Sequence, residues 1–93
     1  MGYEFSNHAR EKLKERSIGE EEVIAALQNP KHLFLDSETG NSIAISAREK
    51  PNHYLIVVFR KVERKIKIVT VIDTSSVERI VEKREKKGRW IRL

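Results

Sequence analysis

The chain contains no cysteine, so it can form neither a disulfide framework nor a thiolate metal site, which excludes secreted mini-protein and zinc-ribbon architectures. No apolar run approaches membrane-spanning length. The start, Met1-Gly2-Tyr3-Glu4-Phe5-Ser6, has no basic region followed by an apolar stretch, so a cytoplasmic protein without a membrane partner is expected. Repeats, low-complexity stretches and linkers are also missing, and 93 residues suffice for one domain, 1–93, around a single modest core. Glutamine occurs once and charged residues make up 35% of the chain, a balance that suits a small thermostable protein solvated by its own charges.

The charge is unevenly placed. The last 46 residues carry fourteen Lys and Arg against six Asp and Glu, whereas the first 47 carry five against eight. A cationic end attracts polyanions, because each phosphate neutralised by Lys or Arg releases a condensed counterion. Nucleic acid is therefore the first partner to consider, and a solvated basic surface is the alternative.

Helical patterns come first and strand patterns second. Ser6 or Asn7 can cap a helix over His8 to Arg16, with Ala9 and Leu13 inward. Ser17 is a candidate N-cap for a second helix in which Glu20 to Glu22 suit the positive end of the dipole, Val23, Ile24 and Leu27 form the buried stripe, and Asn29-Pro30 is the stop. Four β-branched, apolar segments follow, at 32–36, 42–47, 53–61 and 65–73, joined by links that suit antiparallel hairpins. Thr74 or Ser75 caps a last helix through Val77, Ile80, Val81 and Arg84 that Gly88 ends, leaving 89–93 as a short basic tail. The expected fold is α+β: a helical hairpin, a four-stranded, mainly antiparallel sheet and a C-terminal helix.

The last hairpin carries most of the chemistry. A loop of two or four residues sets Arg60 opposite Lys67, Val58 opposite Val69, Ile56 opposite Val71 and Tyr54 opposite Asp73. Leu55, Val57, Phe59, Ile66, Ile68 and Ile72 then share the core face, which the two N-terminal helices should cover. Two cations directly opposed are destabilising unless an anion lies between them, so Arg60 and Lys67 either form an anion site or splay into water at a fraying end.

His8, His32 and His53 fall in different elements without a second ligand at helical or strand spacing, so no metal or other cofactor is expected. His8 would sit in the first turn of a helix, where the positive dipole end favours the neutral imidazole that a general base needs; the alternative is an exposed or capping histidine. In the tail, Trp90 either stacks on a nucleobase or docks with Ile91 and Leu93 on its own domain, and docking is the better reading for a Trp with apolar neighbours.

The run Phe5-x-x-His8-Ala9-x-x-x-Leu13-x-x-Arg16-x-Ile18, then Glu21-Glu22-Val23, Leu27-x-Asn29-Pro30 and Val69-Thr70-Val71, resembles a microbial domain family related to the BrnT toxins of the RelE/ParE superfamily. The resemblance spans about residues 3 to 73. It implies a short strand at Tyr3 to Phe5 ahead of the helical hairpin, and it implies a toxin that acts on RNA, at the ribosome, and is neutralised by a cognate antitoxin protein. Some superfamily members act on gyrase instead. The family pattern usually has Gly where Ser17 stands, and only His8 and Arg16 fall on recognisable motif positions.

Metal-independent RNA cleavage needs a base for the 2′-hydroxyl, cations for the phosphorane and a proton donor for the leaving oxygen. His8 is the candidate base, Arg60 and Lys67 the phosphate holders, and Tyr54 or a further cation the donor. Arg16, Arg48, Arg84, Lys87 and Arg89 are candidates for contacts to RNA; Arg16 could instead bond helix-end carbonyls. The expected function is a ribonuclease toxin, with a non-catalytic basic RNA- or protein-binding module as the alternative.

Overall fold

The segment Tyr54-Leu55-Ile56-Val57-Val58-Phe59 is apolar at six successive positions, which suits a strand covered on both faces rather than one half in water. The computed structural model, which describes residues 2–93, places it near the middle of one sheet. The elements are β1 (Gly2–Phe5), α1 (Asn7–Arg16), α2 (Glu20–Gln28), β2 (His32–Asp36), β3 (Ser42–Ala47), β4 (Tyr54–Val62), β5 (Lys65–Thr74), α3 (Val77–Lys86) and β6 (Trp90–Arg92). The strand order is β1-β5-β4-β3-β2-β6, with β1 parallel to β5 and every other pairing antiparallel. No helix in the described residues is long and apolar enough to cross a membrane.

Period-two alternation along β4 feeds two cores rather than the single one expected. Leu55 and Val57 join Phe5, Ala9, Leu13, Val23, Ala26, Ile68 and Val71 beneath α1 and α2. Ile56 joins Phe34, Ile43, Ile45 and Trp90 on the opposite side, where Val77, Ile80 and Val81 of α3 pack. The fold is thus α+β in three layers. Helix α3 has no fully buried residue, so it covers its face less completely than the first two helices cover theirs.

The β4–β5 register follows the expected two-residue loop at first, with Val62 opposite Lys65, Arg60 opposite Lys67 and Phe59 opposite Ile68. A bulge at Val69 then shifts it by one, so that Val58 faces Thr70, Ile56 faces Ile72 and Leu55 faces Asp73. This corrects the expected pairs beyond Phe59. Val71 takes the place in the α1/α2 core assigned to Ile72, whereas Ile72 turns to the α3 side and is 40% exposed.

Ser6 holds this junction. Its backbone N–H donates to the Ile68 carbonyl at 3.0 Å and its hydroxyl donates to the Val69 carbonyl at 2.8 Å, while the same hydroxyl oxygen accepts the Ala9 N–H at 3.0 Å and so caps α1. Edge strand, bulge and helix start share one side chain.

The other differences lie at termini. The sheet has six strands, not four, because Gly2–Phe5 pairs with β5 and the supposed tail folds as β6 against β2. Trp90 is buried against Phe34, with ring centroids 5.5 Å apart, in keeping with docking rather than base stacking. Ser17 does not cap α2. It closes α1 in the left-handed region at φ 53° and Gly19 begins α2, while Ser76, not Thr74 or Ser75, precedes α3, the Thr74 hydroxyl accepting the Ser76 N–H.

Two substitutions test these junctions. Ser6→Ala removes the cap and the bulge contact together and should lower unfolding free energy by about 1–2 kcal/mol in a urea titration. Ser17→Gly should raise it by about 0.5–1 kcal/mol, because left-handed backbone costs a residue with a Cβ roughly 1–2 kcal/mol and glycine returns part of that through unfolded-state entropy. A Ser17→Gly protein less stable than the parent would show that this residue is not strained.

Candidate nucleic-acid interface

Ion pairing sorts the cations of the basic half. Arg48, Lys86, Arg89 and Arg92 are engaged by carboxylates, whereas the other ten, Arg60, Lys67, Lys83, Arg84 and Lys87 among them, have no carboxylate within ion-pair distance among the described residues. These five belong to one side of the molecule. Strand alternation puts Arg60 and Lys67 on the α3 face, and the last turns of α3 carry the other three or lead into them.

Loop contacts bring the two groups to the same end. The Arg60 Nε donates to the Asn41 Oδ1 at 3.0 Å, the Ser37 hydroxyl donates to the Gly88 carbonyl at 2.9 Å, and Arg89 lies 3.2 Å from Glu38. The turn at 36–41 therefore links the Arg60 end of β4 to the C-terminal end of α3. Because α3 lies over β2 to β4, a groove of about 620 Å³ remains between it and β5, floored by Ile72, Ile80 and Trp90 and edged by Lys83, Arg84, Lys87 and the Arg89–Glu38 pair. The Arg84 guanidinium sits 5.8 Å above the Trp90 ring.

Asn41 explains how opposed Arg60 and Lys67 coexist, since its buried amide oxygen holds the guanidinium on the β3 side. Parallel pairing adds Glu4 in register with Lys67 on the same face. Glu4, Lys67 and Arg60 form a row across three strands. Glu4 was absent from the sequence candidates because parallel pairing of distant strands has no local signature.

The four proposed catalytic residues do not converge. His8 is exposed at the start of α1, in the layer on the opposite side of the sheet from Arg60 and Lys67, and no hydrogen bond engages it among the described residues. Tyr54 shares the α3 face but lies six residues from Arg60 along β4, roughly 20 Å at the ~3.3 Å rise of a strand. It lines a separate cleft with Val77 and Glu78, and Lys31 stands 5.4 Å over its ring. Arg16 is exposed in the last turn of α1, on the side away from the groove, and bonds no helix-end carbonyl among the described residues.

Two RNA-contact candidates are engaged by carboxylates instead. Arg89 is held by the charges of Asp36 and Glu38, without a well-aligned hydrogen bond from its Nε. Burial pushes the Asp36 carboxyl up, but the N–H groups of Glu38 and Thr39 and the Arg89 charge outweigh it and hold Asp36 below the usual carboxylate range. Arg48 makes a bidentate pair with Glu22 at 2.7 and 3.0 Å and lies 3.4 Å from Asp73, which in turn is 2.9 Å from the His53 Nδ1. The Glu22 hydrogen bond raises the Arg48 pKa against the opposing effect of burial. For Asp73, burial acts upward and is outweighed by His53 and Arg48, leaving it lowered.

This Glu22-Arg48-Asp73-His53 cluster ties the 48–53 loop to α2 and β5. It escaped the sequence reading because the Val69 bulge decides that Asp73 turns toward α2. No group of three or more His, Asp or Glu among the described residues could hold a metal.

Residues 5–73 match the family described as Domain of unknown function (DUF4258), and the chain belongs to it. Neither the curated proteins nor the solved structures yield a match. The matched span covers α1 through most of β5, so it includes Arg60, Lys67 and the whole of the Arg48 cluster but not α3.

Because Asp36 and Asp73 have folded pKa values below their unfolded ones, each adds stability above the unfolded value near 4 that disappears as pH falls through the folded value. Asp73→Asn should therefore cost about 1–2 kcal/mol at neutral pH, and the gap to wild type should narrow below pH ~4. Denaturant titrations over a pH series measure this. An equal gap at pH ~2.5 and at neutral pH would mean that the charge of Asp73 contributes nothing.

Proposed function

We propose that this member of the DUF4258 family binds RNA through the half of its sheet that α3 leaves open. The observation that carries the reading is that five of the cations without a carboxylate in ion-pair distance among the described residues, Arg60, Lys67, Lys83, Arg84 and Lys87, share the α3 side, with Glu4 the acidic residue in register beside Lys67. Internally paired arginines release few counterions on binding, whereas these five keep their charge available to phosphates.

Catalysis is the second reading, and it rests on the resemblance to RelE/ParE-type toxins together with the cross-strand position of Arg60 and Lys67. In that reading the pair stabilises the phosphorane of a metal-independent cleavage at the ribosome, and a cognate antitoxin covers the same face. The separation of His8 and Tyr54 from the pair weighs against the proton-transfer roles first assigned to them, so binding is the better-supported activity.

Affinity for a single-stranded RNA should fall steeply with salt, with a log–log slope of roughly −3.5 if all five cations contact phosphates. Arg60→Ala and Lys67→Ala should each weaken binding and flatten the slope by about 0.7, whereas Lys14→Ala on α1 should change neither. A slope near zero, or no association at low salt, overturns the reading. The same proteins, incubated with ribosomes, RNA and a chelator, separate the two activities. Products with 2′,3′-cyclic phosphate ends that decline in Arg60→Ala and Lys67→Ala far more than binding does would make the domain a ribonuclease, and intact RNA would leave it a binding module.

A further inference from the structure

Strand β6 has one open edge. Hydrogen bonds run from the Leu93 N–H to the Leu33 carbonyl at 2.9 Å and from the Ser37 N–H to the Arg89 carbonyl at 2.8 Å, and Ile91 lies opposite Leu35 between them. Residues 89, 91 and 93 therefore turn their backbone groups toward β2. By the same alternation, Trp90 and Arg92 turn theirs outward, leaving two N–H donors and two carbonyl acceptors aligned along the edge.

Side-chain placement makes this edge adhesive rather than guarded. Ile91 is 48% exposed and Leu93 67% exposed, and both share a face with Leu33 and Leu35. Natural edges are commonly protected by charge. Here the flanking charges are cancelled internally, because Arg92 lies 3.3 Å from Glu85 and Arg89 is held between Asp36 and Glu38.

We propose that β6 pairs antiparallel with β6 of a second copy of this chain, about a two-fold axis through Ile91. That register sets Ile91 against the second copy's Ile91 in a non-hydrogen-bonded pair and each Trp90 against the second copy's Arg92 in a hydrogen-bonded pair, so all four outward backbone groups on each copy find partners. Another strand could satisfy the same hydrogen bonds. The second copy is favoured because the register is self-complementary: it places apolar Ile91 at the axis, each Arg92 beside an aromatic ring, and no uncompensated like charges directly opposite. The axis stands perpendicular to the sheet, so six strands become twelve and both α3 faces look the same way. Two three-residue strands bury less than the ~1,200 Å² of a stable complex, so the association is weak and depends on concentration.

Sedimentation of the purified protein without RNA, over roughly 10 µM to 1 mM, should follow a monomer–dimer equilibrium. Ile91→Lys, which sets two like charges against each other at the axis, should raise the dissociation constant about tenfold or more, and an unchanged far-ultraviolet circular dichroism spectrum and urea midpoint at low concentration would report that the variant is folded. Hydrogen exchange of the wild type gives a reading that needs no variant: the Trp90 and Arg92 amides should slow as concentration rises, while the Ile91 amide, bonded to β2, stays protected throughout. A monomer across the whole range overturns the proposal. So does a dimer whose Trp90 and Arg92 amides exchange at the same rate at every concentration, because it must form through another surface.

Discussion

Everything downstream of Ile68 depends on how Ser6 meets the bulge at Val69. A side chain that donates to the Val69 carbonyl and accepts from the Ala9 N–H satisfies a displaced carbonyl and an orphan helix donor at once. With the extra residue in β5, Val71 enters the α1/α2 core, Asp73 meets Arg48 and His53, and Ile72 faces the groove beside α3. An unbulged strand would reverse each of those placements, because a one-residue shift exchanges the two faces. The Arg60–Lys67 pair lies on the hairpin side of the bulge and keeps the register that the loop sets.

The cations divide by what surrounds them. Arg48 is largely buried, so an unpaired charge there would be costly and two carboxylates meet it. Arg89 and Arg92 stand where the chain leaves α3 and enters β6, and their partners Asp36, Glu38 and Glu85 fasten that strand to the rest of the fold. Cations at the open end of the α3 face have no such duty. The charge a polyanion would meet on this face is tempered by Glu4 beside Lys67 and by Glu38 at the groove, within a chain of net charge +5.

Helices and long strands were legible in the sequence because their signals are local: caps at Ser6, stops at Asn29-Pro30 and Gly88, and alternation through 54–62. The resemblance supplied β1, which periodicity alone does not reveal in four residues. Strand β6 has no strand signature in the sequence, where 89–93 reads as a basic tail that docks or stacks on a base, because Trp90-Ile91-Arg92 is too short to display a period and its partner is more than fifty residues away. For the candidate site, the Arg60–Lys67 pair followed from loop length alone. Burial of Arg48 by Glu22 and separation of His8 from the pair depend on which layer each helix joins, and that is tertiary information.

Binding and cleavage place different demands on this face. Phosphate recognition needs only donors with fixed positive charge, which in the proposed reading Arg60, Lys67 and the α3 cations would supply without help from other layers. Cleavage also needs an atom that can accept the 2′-hydroxyl proton, and neither guanidinium nor ammonium has acceptor capacity. The acceptor that parallel pairing carries into the row is the Glu4 carboxylate, in register with Lys67 on the strand that leads directly into Ser6. The Ser6 junction thus does more than settle the faces of β5. It also fixes β1 along the row, setting Glu4 in register with Lys67 on the α3 face.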